Sequence, residues 1–180
     1  MKDEGNLHYF LGIEVQSSPS GLFLSQTKYV SELLNKAGMT ECKPSDSPSS
    51  VKPGIPDPNS LFTDVTLYRT VVGSLQYLTL TRPEISYSVN LACQRMHSPK
   101  LSNFIAVKRI LRYIKRSLTQ GLNFVPNSLS LTAYADWAGD PIDRCSTTRF
   151  AIFMGLNLVS WCAKKQHTVA RPQSSTKAEY

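Results

Sequence analysis

The chain has 180 residues, 41% of them hydrophobic and 18% charged. That supports one or two small packed units, and no continuous apolar run reaches the roughly twenty residues a transmembrane helix needs. The net charge of +7 is unevenly placed: residues 1–100 carry 9 Lys/Arg and 9 Asp/Glu, whereas residues 101–180 carry 11 against 4, which favours a polyanionic partner for the C-terminal part.

The opening Met1-Lys2-Asp3-Glu4-Gly5 is polar and acidic, unlike a secretory signal, so an intracellular protein is expected. Cys42, Cys93, Cys145 and Cys162 lie 51, 52 and 17 positions apart, and no Cys-x-x-Cys pair occurs. With His8, His97 and His167 equally scattered, free thiols are expected rather than a zinc site or a disulfide framework, and the histidines receive no role.

Leu7, Tyr9, Leu11, Ile13 and Val15 alternate with more polar positions, a period of two that predicts one strand. Ser17 to Gly21 is turn chemistry and Leu22-Phe23-Leu24 the returning strand, giving a hairpin. Val30, Leu33, Leu34 and Ala37 share the face of a first helix that Gly38 stops. Residues 40–62 hold five of the eleven prolines and five serines without periodicity, and read as an extended, mobile surface connection. Thr63 or Asp64 caps a second helix with Val65, Tyr68, Val72 and Leu75 inward. Pro83 ends it and opens a third helix bearing Ile85, Val89, Ala92, Cys93 and Met96. Pro99 breaks that helix, and Ser102 starts a fourth with Val107, Leu111, Ile114 and Leu118 inward. From Gly121 the period shifts to strands, over Leu122–Val125, Leu129–Trp137, Phe150–Met154 and Leu156–Ala163. A hairpin and helices followed by a β meander is an α+β pattern in two segregated parts.

Two constellations carry possible chemistry. Lys108, Arg109, Arg112, Lys115 and Arg116 place five cations within nine residues on one side of the fourth helix, able either to neutralise phosphates or simply to face water. The carboxylates of the β region are Asp136, Asp140, Asp143 and Glu179; a two-Mg²⁺ nuclease centre needs three or four that converge, and an Asp at a strand end with a Glu on the next helix would be half of one. Thr176-x-x-Glu179 is a capping box, and Asp140-Pro141-Ile142-Asp143 has the makeup of a turn. Trp137 and Trp161 are expected to pack in the sheet rather than stack on bases.

Met1–Val15 resembles the run M-K-D-L-G-x-L-x-Y-F-L-G-I-E-V of Ty1/copia-type retrotransposon Pol polyproteins, with Glu4 in place of leucine. Arg69–Leu78 followed by Thr81-Arg82-Pro83-Glu84-Ile85 is similar to the family's R-x-x-V-G-x-L-x-Y-L…T-R-P-D-I segment, and residues 137–180 resemble its W-A-G-D…S-T-T-G…S-W…K-K-Q-x-T-V-A-R-S-S-T-E-A-E-Y stretch. The resemblance spans nearly the whole chain. It implies a truncated copy that lacks the polymerase's catalytic Tyr-x-Asp-Asp hairpin. Residues 1–39 would be a primer-grip-like hairpin and helix, 40–62 a Pro/Ser-rich connection, 63–118 a helical thumb/connection-like region, and 121–180 the N-terminal part of an RNase H-like domain. Gly12, read on the outer face of the first strand, would then permit close approach of a primer backbone, or be a plain strand glycine.

Three departures bear on activity. Where the family has Y-S-D-A-D-W-A-G this chain reads Tyr134-Ala135-Asp136-Trp137-Ala138-Gly139, so Asp136 aligns with the second, non-ligand aspartate. A two-residue slip keeps the strand face but displaces the carboxylate by about 6–7 Å. Pro172-Gln173 is inserted ahead of the segment bearing Glu179, and Arg149 replaces a family glycine, a costly exchange if that turn needs positive φ. The family's cofactor is Mg²⁺; here none is expected, with Asp136 and Glu179 as remnant candidates. The functions implied are a Pol fragment without independent catalysis, a remnant binding an RNA/DNA hybrid or DNA duplex through the basic helix, or residual RNase H activity. No membrane or small-molecule substrate is expected.

Overall fold

The structure, a computed structural model, describes residues 8–49, 60–139 and 146–165, with side chains omitted at 137–139 and 146. Several expectations fall outside those residues: the strand's start at Leu7, the middle of the 40–62 connection, the Trp137 ring, Asp140, Asp143, Cys145, His167, the Pro172-Gln173 insertion and Glu179. The chain divides into two compact units, Met1–Ser17 with Phe23–Leu122, and Ser18–Leu22 with Asn123–Tyr180. It is a mixed α+β structure with two antiparallel sheets and four α-helices among the described residues.

The first strand of the sequence reading is in fact two. β1 (Tyr9–Phe10) turns back at once into β2 (Ile13–Ser18), pairing Tyr9 with Glu14 and Phe10 with Ile13. Leu11 and Gly12, at φ 47° and 78°, form the two-residue loop, and positive φ at both central residues is the signature of a type I′ turn. Alternation misled because it continues through the turn while the pairing does not respect it: Tyr9 shares a face with Glu14, not with Ile13 and Val15. Of the four apolar positions among the described residues only Val15 is buried, and Gly12 belongs to a turn rather than a strand face. β3 (Gly21–Ser25) returns as expected, and β4 (Leu122–Phe124) completes the sheet in the order β1-β2-β3-β4.

α1 (Thr27–Lys36) buries Val30, Leu33 and Leu34. It ends in a Schellman motif: Gly38, at φ 62°, donates to the Asn35 carbonyl (3.0 Å) and Met39 to that of Leu34 (2.8 Å). α2 (Val65–Leu78) is capped by Asp64, whose Oδ1 accepts from the Leu67 amide at 2.8 Å. Tyr68, Val71, Val72, Leu75 and Leu78 face inward. A short 3₁₀ turn (Pro83–Ile85) leads into α3 (Ser86–Cys93), which stops three residues before the expected Met96. α4 (Leu101–Arg116) buries Phe104, Val107, Ile110, Leu111 and Ile114, and side chains of all four helices form one hydrophobic core. No described helix is long and apolar enough to cross a membrane.

Arg82 sits inside this unit at 2% exposure. Its Nε donates to Glu84 Oε1 (2.6 Å), Nη1 to the Ser117 carbonyl (2.9 Å) and Nη2 to Ser117 Oγ (2.6 Å), with Gln120 Oε1 at 3.3 Å. The Tyr113 ring lies 5.9 Å from the guanidinium carbon. A buried cation is stable only when its donors are matched, and here each nitrogen of the fork has a partner.

In the second unit β5 (Leu131–Gly139), β6 (Ser146–Met154) and β7 (Asn157–Lys165) pair antiparallel in the order β5-β6-β7. Gly155, at φ 60°, turns β6 into β7, and a Cβ there would collide with the Asn127 side chain. Asn157 binds Val125 in both directions, its Oδ1 accepting from the amide (2.8 Å) and its Nδ2 donating to the carbonyl (2.9 Å). Arg149 lies within β6, opposite Asp136 and Ala163, and is not among the residues with positive φ. The strain its replacement of a glycine would bring in a left-handed turn does not arise.

Candidate functional site

α4 is amphipathic because Phe104, Val107, Ile110, Leu111 and Ile114 recur at helical spacing and claim the inner face. That leaves Lys108, Arg109, Arg112, Lys115 and Arg116 within an arc of about 120°, spread over about 12 Å of helix. Lys108 and Arg116 are exposed, and Arg109, Arg112 and Lys115 are half-buried.

What half-buries them is the chain itself. Residues 42–49 run along the helix antiparallel to it. Lys115 Nζ donates to the Cys42 carbonyl (2.9 Å) and Arg112 Nε to that of Lys43 (2.6 Å). Arg109 Nε donates to the Ser49 carbonyl (3.0 Å) and its Nη2 to Ser47 Oγ (2.9 Å). Arg116 forms an ion pair with Asp46, and Lys108 stands over the Phe104 ring, 5.0 Å from its centre. The Ser45 amide donates back to the Arg112 carbonyl at 3.2 Å. Further along, Leu61 bridges to Lys100, and Leu101 and Phe62 bond to Ser60 and Pro99, so the described end of the connection is tied to the start of the same helix.

The chemistry of this pairing is donor meeting acceptor. Pro44 and Pro48 have no amide hydrogen, so the strap presents more carbonyls than donors. Guanidinium and ammonium groups have donors only. A charged donor to a neutral carbonyl contributes more than a neutral pair, but at a half-exposed surface water screens much of it. Sequence reasoning found the cations and missed their occupant; the one signal was a proline-rich segment beside a donor-rich helix.

Asp136 is exposed on β5, in the second unit, directly across the strand pair from Arg149, and Glu179 lies outside the described residues. A carboxylate facing a guanidinium is poorly disposed to hold a divalent ion. Among the described residues no group of three or more His, Cys, Asp or Glu is placed to hold a metal, and Asp140, Asp143 and Glu179 lie outside those residues.

Two titrating groups of the first unit are displaced by burial. Tyr68, wholly inside the core and donating to the Ala92 carbonyl at 2.9 Å, has its hydroxyl pKa pushed up to about 12, chiefly by desolvation. Desolvation also raises the Cys93 thiol. Neither faces the cations, and both read as core groups.

Comparison with known proteins supplies the family. No family model matches the chain, and no solved structure matches it. An uncharacterized mitochondrial protein of Arabidopsis thaliana is 51% identical, over all of this chain and 75% of the relative. The retrovirus-related Pol polyproteins from transposons RE1 and RE2 of the same plant are 46% and 44% identical, again over all of this chain. The chain spans only 12% of the length of each of those two polyproteins. Full-length similarity at these identities carries the motifs of both units together, and the chain belongs to the Pol polyprotein family of Ty1/copia-type retrotransposons, corresponding to a segment of that polyprotein.

Proposed function

We propose that this segment is the stretch of a copia-type Pol polyprotein that runs from the reverse transcriptase's thumb and connecting helices into the opening strands of its RNase H domain. We further propose that by itself it contacts nucleic acid without cutting it. The ancestral activities, RNA-directed DNA synthesis and cleavage of the RNA strand of a hybrid, belong to the longer polyprotein.

The single observation that carries the binding role is the row of cations on α4: five on one side of a rigid helix whose other side is locked into the core. Steps of three and four residues bring successive charges about 5–6 Å apart, a spacing suited to consecutive phosphates. The reading without catalysis is supported by Asp136 facing Arg149 across β5 and β6.

A salt titration tests it. A fluorescein-labelled RNA/DNA hybrid and a DNA duplex are titrated with the chain by anisotropy between about 50 and 200 mM salt. Phosphate-driven binding makes log K fall linearly with log salt, by about 0.9 per phosphate neutralised on B-form DNA. Affinity that ignores salt, or that survives Arg112→Glu with Lys115→Glu unchanged, removes α4 from the interface. Adding Mg²⁺ is expected to leave the hybrid intact; cleavage lost in Asp136→Asn would instead establish residual RNase H activity.

A further inference from the structure

Four of the five α4 cations that would meet phosphates are already bonded within the chain, and among the described residues their side-chain partners lie in the 42–49 strap. We propose that this strap is an internal competitor for nucleic acid: it occupies the α4 surface in the free protein and must leave before a duplex can take its place. The inference rests on the reading of α4 as the binding face and adds how that face is regulated.

Three features support exchange rather than co-occupancy. The contacts do not overlap, each strap acceptor serving a single cation: Lys115 to Cys42, Arg112 to Lys43, Arg109 to Ser47 and Ser49, Arg116 to Asp46. Of the five cations only Lys108 and Arg116 stay exposed, while Arg109, Arg112 and Lys115 are half-covered, so a duplex lying on top would find the middle of the row closed. Phosphate is also the better acceptor, since it is charged where four of the strap's five acceptor groups are neutral oxygens.

The strap is also held weakly enough to leave. Apart from Ser45, which is buried, its residues are half-buried or exposed, and none of them belongs to the hydrophobic core. Its backbone makes a single described amide bond to the helix, from Ser45 to the Arg112 carbonyl. What favours the closed state is pre-organisation: Pro44 and Pro48 restrict the unbound segment, so little entropy is lost on docking.

The test compares the full chain with a strap variant that leaves its charge unchanged: Pro44→Gly, Ser47→Ala and Pro48→Gly together. Freeing two proline positions and removing the Arg109 acceptor is expected to tighten duplex binding roughly tenfold, with the salt slope unchanged because the same phosphates are contacted in the end. Far-ultraviolet circular dichroism and the melting curve check that the helical unit is intact in the variant. A second measurement needs no variant: in the unaltered chain, adding duplex should speed hydrogen exchange at the Ser45 amide while α4's own amides stay protected. Equal affinities in the two proteins, with Ser45 still protected under duplex, would overturn the competition and leave the binding reading standing. Binding by both proteins that is indifferent to Lys115→Glu would sink the α4 reading and the competition with it.

Discussion

Replacing Arg82 with methionine keeps the length and apolar stem of the side chain and removes its five donors. The Ser117 carbonyl, Ser117 Oγ and Gln120 Oε1 then lose their charged partner, in a site where Arg82 itself is 2% exposed. Glu84 also loses its ion pair, but its side chain is 36% exposed and water takes up most of that loss. Two short hydrogen bonds to a charged donor, each contributing about 1.5–3 kcal/mol, and one long one give an expected destabilisation of about 3–4 kcal/mol after allowing for the methionine's own burial. Urea unfolding followed by tryptophan-independent circular dichroism at the helical band reads it as a lower midpoint at unchanged m-value. Arg82→Lys should recover less than half, because an ammonium cannot reproduce the fork that reaches Ser117 twice. A loss below about 1 kcal/mol for the methionine variant would show that water enters the site and that the network is not what fixes the turn before α3 to the end of α4.

Two further expectations concern the same unit. The Tyr68 hydroxyl titrates near 12 when folded and near the ordinary 10.0 when unfolded, so its contribution is fully present below pH 10 and is lost as pH rises from there through 12. That loss totals about 2–3 kcal/mol, and the alkaline fall in stability should be correspondingly shallower in Tyr68→Phe; identical curves for both proteins would refute the assignment. Leu11 holds φ 47° at 71% exposure, and Leu11→Asn creates an Asn-Gly type I′ turn with little to lose in packing. Thermal melting should show a gain of about 0.5–1 kcal/mol, and a loss would mean the turn is held by the Leu11 side chain instead.

The helices were legible because burial at a spacing of three and four leaves its mark on residue type: Val30, Leu33 and Leu34 in α1, or Val107, Leu111 and Ile114 in α4, are apolar wherever the core is. Strands β5 to β7 were located to within a few residues for the same reason, except that β6 reaches back to Ser146 through polar positions. What failed was pairing. Nothing in the alternation of residues 7 to 15 says that Leu11 and Gly12 reverse the chain, since a leucine at positive φ is rare enough to be read as extended. The strap failed for a different reason. Carbonyl oxygens accept from Arg109, Arg112 and Lys115 without regard to the side chains they carry, so the contact is nearly silent in the sequence. Arg82 was visible only as part of a motif; its role depends on Ser117 and Gln120, 35 and 38 positions away.

Asn157 sets a chemical constraint on the second unit. Its amide answers both backbone groups of Val125, giving with one end and receiving with the other. Leucine, close in size, would fill the space and answer neither group. Aspartate would hold the amide hydrogen yet turn a negative oxygen toward the Val125 carbonyl. An asparagine codon becomes an aspartate codon by a single base change, so one nucleotide separates this sheet from a version whose entry segment is repelled at its anchoring point.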